Sequence, residues 1–260
     1  MSAPEGTISR GEAAFGAGRP PAAAVFDSDG VLLDTESAWV AARRLLFARH
    51  GEAFGPMEEG RSRGTGIAGT ADLLSKLLGM PEAAGRLAEE LLVLLSVEID
   101  DQGVRPLPGA GALLDRVRGR LPLAVASNSP HALLEQALYR VGLARTFDVV
   151  LGADDVTRPK PAPDLYLHAV ELLDVEAQAT VAFEDSAPGV ASARAAGLHV
   201  VAVGTEDEGW LGAHERVESL KDPLVGERLG LDRARLARCA RHIPLTPLGI
   251  GVCSRPAWER

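Results

Sequence analysis

The chain is 260 residues long and carries 27 Lys and Arg against 36 Asp and Glu, a formal charge of −9, with 46% of its residues hydrophobic. This length accommodates one large domain, or a domain with an insert, and the apolar content supports a true core, which excludes a chain disordered throughout. The acidic balance lacks the concentrated basic surface that nucleic acid or an anionic membrane requires, so neither is an expected partner and an anionic ligand must be captured locally.

Residues 1–21 form a Gly/Ala/Pro-rich stretch without the apolar core of a signal peptide, and no apolar run approaches the roughly 18 residues of a membrane span. The expectation is a flexible leader on a cytoplasmic protein, a monomer or homodimer. Ala22–Phe26, bounded by Pro21 and Asp27, reads as a buried parallel strand ending at a carboxylate. A helical pattern then runs from Glu36 to about His50, with Trp39, Leu45 and Leu46 at helical spacing. Two more follow at Ile67–Leu78 and Pro81–Ile99, separated by Gly-rich breaks. After Val104–Gly109 helix and strand alternate: a helix from Ala110, strand Leu123–Ala126, helix Pro130–Val141 and strand Asp148–Leu151. The alternation continues with helix Pro163–Leu173, strand Thr180–Phe183, helix Pro188–Ala196 stopped by Gly197, and strand Val200–Val203.

This rhythm predicts an α/β, Rossmann-like parallel five-stranded sheet flanked by helices, built from residues 22–34 and 106–204. An inserted α-helical cap, residues 35–105, interrupts it between its first two strands. Residues 205–260 read as a C-terminal extension of unknown role, with an Arg-rich amphipathic pattern at Leu231–His242. Its Cys239 and Cys253 read as reduced thiols.

Ligands of open parallel sheets bind at the carboxyl ends of the strands, so the residues just after each apolar run carry the interest. The first strand delivers Asp27-Ser28-Asp29-Gly30, whose alternate positions set two carboxylates side by side. Such a pair is relieved by a hard divalent ion such as Mg2+; a plain polar turn is the bland alternative. The second ends Ser127-Asn128-Ser129-Pro130, polar groups at a helix start that suit a phosphate oxygen or simply cap the helix. Glu184-Asp185-Ser186 puts two more carboxylates at the same edge. Lys160 lies between Pro159 and Pro161, which restrict its backbone, in a chain where Arg outnumbers Lys 24 to 3. An exposed loop lysine is the alternative there. The six histidines show no short metal-ligand spacing, so no zinc site is expected.

The ordered set resembles the haloacid dehalogenase superfamily. Its first motif is matched by Asp27 and Asp29 in Val25-Phe26-Asp27-Ser28-Asp29-Gly30-Val31-Leu32-Leu33-Asp34-Thr35-Glu36. The second motif falls on Ser127, 100 residues on, the third on Lys160 after a further 33, and the fourth on Glu184 and Asp185, the latter 25 beyond Lys160. The resemblance covers about Ala22 to Gly204, and the helical insert is similar to the small cap shared by phosphoglycolate phosphatases, sugar phosphatases and beta-phosphoglucomutases.

What the resemblance implies is a phosphatase of small phosphomonoesters, with a phosphorylated sugar or polyol as the expected partner. Asp27 would be the nucleophile and Asp29 the acid and base. Mg2+ would be held by Asp27, the Asp29 backbone carbonyl and Asp185, with Glu184 second or through water, and Ser127, Asn128 and Lys160 would hold the phosphate oxygens. In the cap, Arg61, Arg63 and Thr65 are the expected substrate contacts, a solvated loop being the alternative; Lys76 reads as a surface residue and Trp39 as packing. A phosphosugar mutase is the rival in chemistry, but the cap histidine of beta-phosphoglucomutases corresponds here to Trp39, which favours hydrolysis. A receiver domain has no such insert, and a catalytically silent binding module need not keep the full set of acids, Ser127 and Lys160. Dehalogenase activity is disfavoured because it needs neither the metal ligands nor the second acid in these roles.

Overall fold

A computed structural model describes residues 20–62, 65–205 and 212–231. Arg63, most of the leader, both cysteines and all but the first residue of the Leu231–His242 pattern lie outside the described residues.

In chain order the structure runs β1 (Ala23–Phe26), β2 (Leu33–Asp34), α1 (Glu36–Arg49), α2 (Pro56–Ser62), α3 (Gly66–Leu77), α4 (Ala84–Gln102) and β3 (Arg105–Pro106). It continues with α5 (Ala110–Val117), β4 (Leu123–Ala126), α6 (His131–Arg140), β5 (Val149–Leu151), α7 (Asp164–Leu172), β6 (Thr180–Glu184), α8 (Ala187–Ala195), β7 (His199–Val203), β8 (Glu215–Val217) and α9 (Pro223–Arg228). Among the described residues the main sheet has six strands in the order β5-β4-β1-β6-β7-β8, every neighbouring pair parallel. The expected five strands are all present; the sixth, β8, adds at the β7 edge. It is three residues long with one buried side chain, Val217, too short to show a period in the sequence.

Burial on both faces explains the unbroken apolar strands. Ala24 and Phe26 pack under α5, α6 and α9, whereas Val25 faces α7 and α8 on the other side. Phe26 stacks on Phe183 of β6 at 4.8 Å between centroids. Because β1 is flanked by β4 on one side and β6 on the other, the strand order reverses beside it, the place where open α/β sheets bind ligands.

The helices α1–α4 bury a core of their own, including Leu46, Phe47, Leu74, Leu91 and Leu95, to which α6 contributes Leu133. Leu45, expected on the apolar face of α1, is 43% exposed, while Leu46, about 100° further round the helix, is fully buried. Lys76 sits at the surface, paired with Asp72. The short antiparallel pair β2–β3 joins the two ends of this helical block, setting Leu33 beside Pro106 and Asp34 beside Arg105. Neither these two-residue strands nor the short, polar α2 carries a periodic signal in the sequence.

Candidate active site

The carboxyl ends of β1, β4 and β6 converge on a cleft that is closed from above by α1 and the start of α3. Asp27 follows β1 directly, its N–H donating to the Phe183 carbonyl at 2.9 Å, so the sheet itself holds the backbone of this carboxylate. The chain then turns sharply: the Leu32 and Leu33 N–H groups both donate to the Ser28 carbonyl, and Gly30 adopts φ +82°. A Cβ at Gly30 would lie 1.9 Å from Asp185 Oδ2, so only glycine admits both the turn and the approach of Asp185.

At the base of the cleft lies a buried ionic cluster. Lys160 Nζ donates to Asp27 Oδ1 at 2.5 Å, to Glu184 Oε1 at 2.6 Å and to the Ala126 carbonyl at 2.8 Å. These three contacts match the three donors of an ammonium. The Lys160 side chain is 2% exposed and that of Glu184 wholly buried. Tyr166 donates its hydroxyl to the same Glu184 Oε1 at 2.6 Å, and Glu184 Oε2 accepts from the Asp185 N–H and the Ser186 hydroxyl. Glu184 thus anchors the lysine from behind. Asn128 fixes the same residue by its main chain: the Lys160 N–H donates to Asn128 Oδ1 at 2.9 Å, and Asn128 Nδ2 donates to the Lys160 carbonyl at 3.0 Å. The Ser127 hydroxyl oxygen accepts the Ser129 N–H at 3.0 Å.

Asp29 is held differently. Thr35 Oγ1 donates to its Oδ1 at 2.6 Å and Ser129 Oγ to its Oδ2 at 2.8 Å, so both oxygens are oriented by hydroxyls while the side chain lines the cleft. The two acids of the first motif therefore occupy distinct surroundings, one paired with an ammonium and one with neutral donors.

Electrostatics follow from burial and crowding. Burial pushes the Asp27 carboxyl up to about 8; Lys160 opposes the shift, and the charges of Glu184 and Asp29 add to it. Burial, then the charges of Asp27 and Glu184, also raises Asp185 well above the usual carboxylate range. Burial works against the Lys160 ammonium, but Asp27 and Glu184 outweigh it and hold the group above an ordinary lysine. Burial and the neighbouring Glu184 keep the Tyr166 phenol protonated, as a donor must be. One ammonium thus faces several carboxylates, and donor atoms of Asp27, Glu184 and Asp185 lie within 4.8 Å of one another. Hard oxygen donors carrying excess negative charge fit a hard divalent cation.

Of the residues singled out in the sequence, Asp27, Asp29, Ser127, Asn128, Lys160 and Asp185 all line the cleft, with Glu184 buried behind them. Of the cap residues, the two that are described, Arg61 and Thr65, are not among the residues lining the cleft. Arg61 stands exposed at the end of α2, and Thr65 turns its hydroxyl to the Ser62 carbonyl at 2.8 Å. Among the described residues, the arginine that lines the cleft is Arg43 of α1, together with Trp39 and Glu36. Trp39 belongs to the core of the helical block, as its spacing predicts, and lines the cleft as well. Sequence reasoning also passed over Thr35, Ser129 and Tyr166. Ser129 stands two residues after Ser127, and Thr35 lies six residues after Asp29 within the run quoted for the first motif, which was the available signal; nothing in the local sequence singles out Tyr166.

Comparison with known proteins gives a consistent result. Residues 21–197 match the haloacid dehalogenase-like hydrolase family. The chain is 31% identical over 191 residues to the phosphorylated carbohydrates phosphatase of Thermotoga maritima, covering 68% of this chain and 82% of that protein. It is 29% identical over 212 residues to the bifunctional riboflavin kinase/FMN phosphatase of Arabidopsis thaliana, an alignment that takes in 80% of this chain but only 55% of that longer protein. Among solved structures, a beta-phosphoglucomutase from Clostridium difficile superposes with a TM-score of 0.72 at 25% identity, covering 83% of this chain and all of that one.

Proposed function

The chain belongs to the haloacid dehalogenase-like hydrolases, and from that premise we propose that it is a Mg2+-dependent phosphatase of a small phosphorylated sugar or polyol, acting through a phospho-aspartate on Asp27. The observation that carries this reading is the buried Lys160–Asp27 pair at the base of a cleft whose wall also holds Asp29 and Asp185.

In the proposed reaction Asp27 attacks phosphorus in line, and the ester oxygen leaves with a proton from Asp29. Asp29 then takes a proton from the water that cleaves the phospho-aspartate, returning Asp27 and releasing phosphate. The contacts from Thr35 and Ser129 orient Asp29 for both transfers. The Ser127 hydroxyl, the backbone at Asn128 and the Lys160 ammonium bind the non-bridging oxygens, with Glu184, Tyr166 and the Asn128 side chain holding the lysine in place. Asp27 and Asp185 would hold the metal, with Glu184 outside them, and the cation would supply charge neutralisation between the attacking carboxylate and the phosphoryl group. Catalysis is then mainly positioning and preorganised charge. In this reading α1–α4 act as a cap that meets the leaving group, on a core formed by residues 22–34 and 106–204. No described helix is long and apolar enough to cross a membrane, which fits action on a small water-soluble ester.

The beta-phosphoglucomutase fold neighbour keeps a second reading in view, return of the phosphoryl group to a sugar rather than to water. Phosphate release across sugar phosphates, phosphoglycolate, nucleoside monophosphates and p-nitrophenyl phosphate, with and without Mg2+, separates the two. Metal-dependent release that disappears in Asp27→Asn is the expected result. Interconversion of hexose 1- and 6-phosphates without release identifies a mutase, and silence in both assays leaves a binding module.

A further inference from the structure

We propose that His131, which is not among the residues lining the cleft, is a positioning residue for the phosphate-binding turn 127–129: with Asp154 and Asp155 it ties that turn to the one that leads to Lys160, and the tie is strongest while its imidazole is protonated. The proposal rests on the phosphatase reading above and adds to it a pair of residues outside the cleft.

The turns after β4 and β5 press together. A Cβ at Gly152 would lie 2.3 Å from the His131 nitrogen, so only glycine lets them approach this closely. The Ala153 N–H donates to the Ser129 carbonyl at 3.0 Å. Asp154 Oδ1 accepts the His131 N–H at 2.6 Å, a donor that the first residue of α6 cannot use within the helix. Asp155 Oδ2 accepts from the Gly152 N–H at 2.7 Å and lies 2.6 Å from His131 Nδ1. The same two segments carry the groups assigned to the phosphate. Ser129, whose carbonyl is held here, gives its N–H to Ser127 Oγ and its hydroxyl to Asp29. Lys160 follows Asp155 by five residues, and both its N–H and its carbonyl are bonded to the Asn128 side chain. The His131–Asp155 pair is thus a second connection between the two turns, beside that of Asn128 and Lys160.

Both ring nitrogens of His131 meet carboxylates: Asp155 at Nδ1 and, one turn further along α6, Glu135 at 3.5 Å from Nε2. Among the described residues, Asp155 and Glu135 face the ring and Asp154 stands beside its main chain. A neutral imidazole has one N–H and serves one of the two ring partners, whereas the imidazolium serves both and places a cation among three carboxylates. The hydrogen bond to Asp155 raises the group above the ordinary histidine value of 6.5; partial burial opposes the shift, and the charges of Asp155 and Glu135 add to it. The tie is therefore whole below the ordinary value and loses its charge as pH rises through the higher one that folding imposes. Without the cation the carboxylates of the two segments repel one another, and the turn that carries Ser127 and Asn128 loosens.

The test is inhibition by inorganic phosphate of p-nitrophenyl phosphate hydrolysis, with Mg2+ present, between about pH 5.5 and 8.5, in the parent, His131→Gln and Asp155→Asn. Dividing each variant's Ki by the parent's at the same pH cancels the titration of phosphate itself and of the cleft carboxylates. For His131→Gln the expected ratio is about two- to fivefold near the acid end, the scale of a part-exposed ion pair, falling toward unity as pH passes the imidazole's pKa. Asp155→Asn should also weaken phosphate binding at acid pH. It separates the tie from plain attraction between the imidazolium and phosphate, because removing an anion would strengthen that attraction. A His131→Gln ratio of unity at acid pH, a ratio that does not change with pH, or tighter phosphate binding by Asp155→Asn overturns the proposal and leaves the phosphatase reading intact. If p-nitrophenyl phosphate is not turned over, KM for the sugar phosphate that is takes the place of Ki. Hydrolysis of no ester by the parent removes the phosphatase reading and this proposal with it. Should Asp155→Asn fail to fold, Asp154→Asn, which weakens the hold on the His131 N–H, replaces it with the same expected direction; should His131→Gln fail, His131→Asn does.

Discussion

Lys160→Met removes the ammonium from between Asp27 and Glu184 while keeping most of the side chain's volume. In the parent, the ammonium is 2% exposed and bridges two carboxylates that are 9% and 0% exposed. Without it, two carboxylates are left buried with no cation between them, and breaking a buried ion pair in this one-sided way costs about 3–5 kcal/mol. For a chain of this size that corresponds to a fall of about 6–20 °C in Tm. Turnover should fall by about 10²–10³, the effect of removing one donor that stabilises charge developing in the transition state. The two effects are separable. Adding Glu184→Gln to Lys160→Met takes away one stranded charge and should recover much of the lost Tm, yet it should leave turnover low, because the contact proposed from Lys160 to the phosphoryl oxygens is not replaced. Calorimetry and phosphate release on the parent, the single variants and the double variant complete the cycle. A Lys160→Met protein that melts within about 2 °C of the parent, or that turns over within tenfold of it, refutes the assignment of the cluster as the centre of the site.

Asp27→Asn should abolish turnover and change how stability depends on pH. Burial raises the folded-state pKa of Asp27 from 3.8 to about 8, so the stability its neutral form contributes is present below the lower value and lost as pH rises through the upper one. The metal-free parent should therefore lose Tm relative to Asp27→Asn between about pH 4 and 8, and parallel curves would contradict the assigned shift. Tyr166→Phe deletes the buried hydroxyl that donates to Glu184 at 2.6 Å; a loss of about 1.5–3 kcal/mol is expected by denaturant titration, with a smaller fall in kcat than Lys160→Met gives. Gly30→Ala places a methyl group 1.9 Å from Asp185 Oδ2 at φ +82° and should raise the Mg2+ concentration needed for half-maximal turnover; an unchanged metal dependence would show that Asp185 does not hold the ion.

The strands were legible because burial on both faces demands unbroken apolar runs, and Leu123–Ala126 is bounded in the structure as the pattern predicts. The chemistry was legible where each run ended, since Asp27, Ser127 and Glu184 are the residues that follow or close β1, β4 and β6. Local spacing could not reveal β2, β3 or β8, because strands of two or three residues exist only through their partners. Nor could it separate Arg43 from the exposed Arg61: both are arginines on helices of the same block, and only the packing of α1 over the cleft makes one of them a lining residue.

By itself, then, the sequence determined the α/β class, the place of the helical insert and which candidate polar residues stand at the strand ends, since each depends on near neighbours in the chain. The roles around those groups were decided by tertiary structure alone. Thr35 and Ser129 meet on Asp29 from different segments, and Glu184 and Tyr166 converge on Lys160 from β6 and α7. Hydrogen bonds and charge act over a few ångströms of space regardless of the 100 residues that separate Asp29 from Ser129 along the chain.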